Sequence, residues 1–132
     1  MEIKYLDHFN IRAPKRQLSE VKDFYIEVLG FKVGFRPKLS GPGQWLYAGS
    51  NAMVHLSEDE NRTSRKGEDF LDHIAMRCVG VNEFVKKLNE YSIQYRPVTI
   101  PEIDLTQLFF KDPAGVTIEL NFKGEKLLEK QK

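Results

Sequence analysis

Residues Tyr5–Arg12 read YLDHFNIR and residues Phe70–Arg77 read FLDHIAMR. The two octapeptides share Leu-Asp-His, end on Arg, and alternate apolar with polar residues as half-buried strands do. The same order of elements follows each copy. After the first, Leu18, Val21, Phe24, Tyr25, Val28 and Leu29 recur at three- and four-residue spacing behind Pro14, which predicts a helix that Gly30 ends. FKVGFR, QWLYAG and AMVHLS then read as strands separated by Gly, Pro, Ser and Asn. After the second copy, Val81, Phe84, Val85 and Leu88 make the stripe of a short helix. IQYRPV, TQLFFK and VTIELNF follow as strands, with Asp112–Gly115 as the turn before the last.

The chain is therefore βαβββ written twice, an α+β fold. Module one spans 3–57, a charged connector 58–69, module two 70–122, and a polar tail 123–132 that is expected to fray or form a terminal helical turn. At 132 residues the whole reads as one domain with enough chain to bury a core. Apolar content of 41% and charged content of 30% are ordinary for a globular protein. A net charge of +1 gives no reason to expect nucleic acid or an anionic membrane as partner. The lone cysteine, Cys78, and an N-terminus without a signal-like apolar run suggest a cytoplasmic protein.

The repeat aligns His8 with His73, Gln44 with Gln107, and MVHLS with TIELN, which sets His55 opposite Glu119. Strand alternation places His8, Asn10 and Arg12 on one face, and His73, Ala75 and Arg77 on the matching one. Met53, His55 and Ser57 share a face near the end of module one, as do Thr117, Glu119 and Asn121 in the final strand. The opposite faces are apolar and fit to receive the helices. Asp7 and Asp72 are expected on those opposite faces, in structural roles. One histidine on a strand is more often a hydrogen-bonded surface group than a ligand. Here all three histidines of the chain take repeat-related positions on one face, and a glutamate completes the set.

Three imidazoles and a carboxylate suit one divalent ion of borderline character: Zn, Ni, Co, Mn or Fe(II). They do not suit an all-oxygen calcium cage. The expected metal ligands are His8, His55, His73 and Glu119. Glu119, the one carboxylate, is the first candidate for ligand and base together, and His55 is the second catalytic candidate. Asn10, Arg12, Arg77, Gln107 and Phe109 are the substrate-facing candidates. Arg36 and Arg96 join Arg12 and Arg77 as groups able to meet an anion, and Trp45 and Tyr47 as aromatic walls.

LDHFNIR…VKDFYIEVLGFKVG in the first half and LDHIAMR…LFFKDPAGVTIELNF in the second resemble the vicinal oxygen chelate superfamily. That superfamily takes in glyoxalase I, extradiol dioxygenases, fosfomycin-resistance transferases, methylmalonyl-CoA epimerases and bleomycin resistance proteins. The resemblance covers residues 3–122. It implies that each module is a curved sheet with one helix, and that paired modules form a half-barrel-like mixed-sheet cup. It also implies metal ligands from first and last strands, here His8, His55, His73 and Glu119, and a homodimer. Glyoxalase I has Glu where this chain has His55, and the epimerase has Gln. Relatives with two His and one Glu would be matched by His8, His73 and Glu119.

The favoured function is a metal-dependent, glyoxalase-like lyase or isomerase, acting by proton abstraction next to a metal-chelated oxygen of a small molecule. An extradiol-type dioxygenase is the alternative chemistry. A metal-free antibiotic-binding resistance protein is the alternative of another class. Proteins of that last kind generally lack the ligand set retained here.

Overall fold

A computed structural model describes residues 1, 4–63 and 73–129. The chain divides into two compact units, Met1–Gly67 and Glu68–Lys132. Unit one holds β1 (Phe9–Ala13), α1 (Lys15–Glu27), β2 (Lys32–Gly34), β3 (Gly43–Ala48) and β4 (Asn51–Glu58). Unit two holds β5 (Ile74–Cys78), α2 (Val81–Glu90), β6 (Arg96–Ile100), a 3-10 turn (Pro101–Ile103), β7 (Leu105–Lys111) and β8 (Thr117–Lys123). Each unit is thus the expected βαβββ motif, with strands and one main helix segregated as in an α+β fold.

The two sheets have one topology. Their orders are β1-β4-β3-β2 and β5-β8-β7-β6. The first and last strands of each unit pair in parallel, and the remaining neighbours are antiparallel. A parallel pair cannot be joined by a tight turn, so the helix and two strands between its members form the crossover. Ile11, Ala13, Leu46, Val54 and Leu56 of the first sheet are buried, as are Leu18, Val21 and Tyr25 of α1. In unit two Ile74, Leu108, Phe110, Ile118, Leu120 and Phe122 are buried together with Val81 and Leu88 of α2. The residues between them along each strand take the other face, which is where the candidate ligands lie.

α1 ends as its sequence suggests: Gly30 adopts φ +76°, and the Phe31 amide turns back to the Tyr25 carbonyl at 2.9 Å. The turn before β8 is closed by Asp112, whose Oδ1 accepts from the Ala114 and Val116 amides at 2.8 and 2.9 Å. The first strand begins later than the alternation at Tyr5 implied. His8 and His73 each precede their strand by one residue. Asp72 and connector residues 64–69 lie outside the described residues. Among the described residues, no helix is long and apolar enough to cross a membrane.

The described part of the tail departs from the frayed or helical expectation. α2 begins after Gly80 without a side-chain cap from its own segment. Glu125 supplies one: its carboxylate accepts from the Gly80 amide at 2.9 Å and the Val81 amide at 3.0 Å. Orphan amides at a helix start need such an acceptor, and the helix dipole favours a negative one. Around it, Thr106 Oγ1 donates to the Glu125 carbonyl, Asn82 Nδ2 to the Lys126 carbonyl, and the Leu128 amide to Asn82 Oδ1. The tail is a strap over the start of α2. Replacing Glu125 by Ala should lower stability by about 1–2 kcal/mol, the usual cost of a lost cap. Urea unfolding checks it, with an unchanged m-value and a smaller loss in Glu125→Gln.

Candidate metal and substrate site

In unit two the parallel register sets Ala75 opposite Glu119 and Arg77 opposite Asn121, while β7 sets Phe109 opposite Glu119 and Gln107 opposite Asn121. His73, two residues before Ala75, shares the face and reaches Glu119. Its Nε2 lies 2.8 Å from Glu119 Oε2. The other carboxylate oxygen, Oε1, accepts from Gln107 Nε2 at 2.5 Å, and the same amide donates to Asn121 Oδ1 at 2.9 Å. Glu119 and Gln107 are buried, whereas His73 is exposed. The Phe109 ring stands edge-on to His73 with centroids 6.4 Å apart, and the Arg96 guanidinium lies 4.7 Å over its face. Ala75 and Arg77 are exposed on the strand edge.

In unit one the corresponding register sets Asn10 opposite His55 and Arg12 opposite Ser57, with Trp45 across β3 from His55. The His55 ring is sandwiched. Trp45 stacks on one side at 4.0 Å and 8°, and His8 stacks at 3.7 Å and 14°. His55 Nε2 donates to the Ala52 carbonyl at 3.0 Å, which leaves Nδ1 as the nitrogen with an open lone pair. His8 has the reverse arrangement: Nδ1 contacts Asp7 Oδ2 at 2.6 Å, leaving Nε2 open. Asn10 Nδ2 donates to Ser57 Oγ at 2.9 Å. Arg12 is exposed beside that pair. A cavity of about 890 Å³ opens against these rings, lined by Tyr5, Leu6, Trp45 and Met53 as well as His8 and His55.

Burial, and next the neighbouring His8, hold the His55 pKa below its ordinary 6.5; Arg36 adds to this, while the Ala52 bond and Asp7 oppose it. The Arg36 guanidinium lies against Gly43 and donates to the Gly41 carbonyl at 3.3 Å. A Cβ on Gly43 would stand 3.0 Å from Arg36 Nη2 and 2.2 Å from the Leu56 carbonyl oxygen.

Three features were not legible in advance. Asp7 turns toward His8 because strand alternation does not yet apply two residues ahead of β1. The Trp45–His55 stack follows from cross-strand register, which spacing alone could not fix. The match of Gln44 with Gln107 is corrected by the same register. Gln44 faces Leu56, whereas Gln107 faces Asn121, so the counterpart of Gln107 in unit one is Gly43, opposite Ser57.

Unit one therefore brings His8 and His55 together, and unit two His73 and Glu119. Within either unit, among the described residues, no group of three His, Cys, Asp or Glu side chains stands ready to hold an ion. The pair in unit two fits a metal in one respect. Two ligands on adjacent positions of an ion, with bonds near 2.1 Å, sit about 3 Å apart, and His73 Nε2 and Glu119 Oε2 stand 2.8 Å apart.

Comparison with known proteins agrees with the architecture. The family model of the Glyoxalase/Bleomycin resistance protein/Dioxygenase superfamily matches residues 5–120. A protein of Arabidopsis thaliana named Glyoxylase I 4 is 33% identical over 127 residues, covering 91% of this chain and 71% of its own. The crystal structure of a glyoxalase family protein from Enterococcus faecalis superposes with a TM-score of 0.67 at 26% identity, over 92% of this chain and 99% of that one. TnmS3, an antibiotic-binding protein from Streptomyces sp. CB03234, shares the fold with a TM-score of 0.65 at 21% identity, over 93% of this chain and 98% of its own.

The depressed His55 pKa has a measurable consequence for the metal-free protein. In NMR titration His55 should keep its neutral ring below pH 6.5, the midpoint of an unperturbed histidine. Below that pH the unfolded chain binds a proton that folded His55 resists, so stability should fall as pH drops from 6.5 toward the folded pKa. Urea unfolding at a series of pH values should show a smaller acid-side loss in His55→Asn.

Proposed function

This chain belongs to the Glyoxalase/Bleomycin resistance protein/Dioxygenase superfamily, and we propose that it is a metal-dependent lyase or isomerase removing a proton beside a carbonyl of a small molecule. The observation that carries the reading is the His73–Glu119 pair, placed 2.8 Å apart and braced from behind by Gln107. A buried carboxylate that needed only a structural partner would be satisfied by the amide. Here it also turns its second oxygen to an exposed imidazole.

In this reading His73 and Glu119, 2.8 Å apart, would hold one divalent ion of the Zn, Ni, Co, Mn or Fe(II) class, and His8 and His55 are the candidate ligands that unit one offers. When bound, the ion supplies Lewis-acid polarisation of a substrate carbonyl. The chain supplies the rest. Asp7 fixes the tautomer of His8 by accepting from Nδ1, as carboxylates commonly do behind histidine ligands. Trp45 and His8 hold the plane of His55. Neutral His55, with Nδ1 open, is the group best able to accept a proton, because both oxygens of Glu119 are already engaged. His55 joins the ligand set only through Nδ1 or by leaving the Ala52 carbonyl. Arg12, Arg77 and Asn10 are the polar groups a substrate meets along the strand edges, and Phe109 is its aromatic wall. A cytoplasmic homodimer is part of the same proposal.

The cavity beside Trp45 favours one second reading, a binding module for a small molecule with an apolar part, since Tyr5, Leu6, Trp45 and Met53 line it together with the polar Asp7, Ser50 and Asn51. Elemental analysis of tag-free protein separates the two. The enzyme reading expects close to one equivalent of a transition metal, lost in His73→Ala and Glu119→Ala. His55→Ala should keep the metal and lose turnover on a panel of carbonyl substrates. Protein that neither carries nor takes up a transition metal overturns the enzyme reading, and oxygen-dependent catechol cleavage by an iron form would replace the lyase with a dioxygenase.

A further inference from the structure

The geometry points to Gln107 as a positioning residue for Glu119, and we infer that its amide locks the carboxylate so that Oε2 alone is presented to His73 and to an ion. The chemistry of this inference rests on the metal reading above; its geometry does not. An ionised carboxylate only accepts hydrogen bonds, so the Gln107 group facing Oε1 at 2.5 Å has to be the NH2. That NH2 carries two hydrogens. One goes to Glu119 Oε1 and the other to Asn121 Oδ1 at 2.9 Å. Gln107 therefore has no amide hydrogen left for a substrate, the role its position on the strand had suggested.

Both partners are buried, with 9% of Gln107 and 7% of Glu119 exposed. A carboxylate removed from water needs its hydrogen bonds, so breaking this one to swing Glu119 or to use both oxygens on one ion is costly. The brace thus fixes the plane of the carboxylate and its single-oxygen mode of ligation. Comparison of the two units sharpens the point. The position that Gln107 takes in unit two is taken by Gly43 in unit one, where the last strand carries His55 in place of Glu119. The amide stands only where there is a carboxylate to hold. Unit one instead lays the Arg36 guanidinium over its glycine.

A double-mutant cycle of Gln107→Leu with Glu119→Ala in the full chain tests this, read by zinc affinity in competition with a chromophoric chelator and by urea unfolding. Gln107→Leu should weaken zinc binding by about 10–100-fold, the usual effect of removing a group that orients a ligand. The double variant should bind zinc no worse than Glu119→Ala alone. A purely structural role would move the unfolding midpoint and leave zinc affinity unchanged, and that result overturns the inference. If wild-type protein binds zinc no better than Glu119→Ala, the metal reading is what fails. The unfolding cycle then decides: coupling between positions 107 and 119 upholds the brace, and additivity overturns it. Gln107→Ser, smaller and open to water, takes the place of the leucine variant if that one does not fold.

Discussion

The parallel pairing of first and last strand is the constraint on which each unit depends. It forces a crossover of one helix and two strands, and it leaves one face of the sheet for the helix and one for polar groups. It also fixes which residues can touch. Asn10 opposite His55 and Ala75 opposite Glu119 are the rows that bring His8 and His73, two residues upstream, against those partners. A slip of one residue would send His55 and Glu119 into the apolar layer and Val54 and Ile118 out of it. The burial of Val54, Leu56, Ile118 and Leu120 therefore holds the polar pairs in register without touching them.

The duplicated scaffold has been furnished differently in its two halves. Unit one surrounds its histidine with flat rings and a guanidinium, which favour a neutral imidazole. Unit two surrounds its glutamate with an amide and an imidazole, which favour a fixed carboxylate. One topology thus holds an imidazole whose pKa is lowered in one half and a carboxylate hydrogen-bonded through both oxygens in the other. Trp45 and Phe109 mark the shared origin, since both stand across the third strand from the special residue.

How much of this could be read beforehand follows from which forces act locally. Element order was legible because apolar period and turn chemistry are local: Gly30 and Asp112 do in space what their positions suggest. The pairing of His55 with Glu119 was legible because the repeat preserves order along the last strand. Register between strands was not, since it is decided by packing across the sheet, and so Gln44 was matched with Gln107 one residue out of place. Asp7 was misplaced for a related reason, because alternation was carried back two residues beyond the start of β1. The tail was opaque for another. Glu125 looks like one more charge in a polar run, and its role depends on a helix start 44 residues earlier in the chain.

That separation has a consequence for how the protein is made. Chains emerge from the ribosome in order, and units tend to fold as they are completed. Unit one closes its sheet as soon as β4 is available. The first turn of α2, by contrast, stays without its acceptor until the segment beyond β8 has been synthesised and has left the exit tunnel. The second unit therefore reaches its full stability only after translation has passed Glu125, and during that interval its nascent chain is the half most exposed to proteases and chaperones.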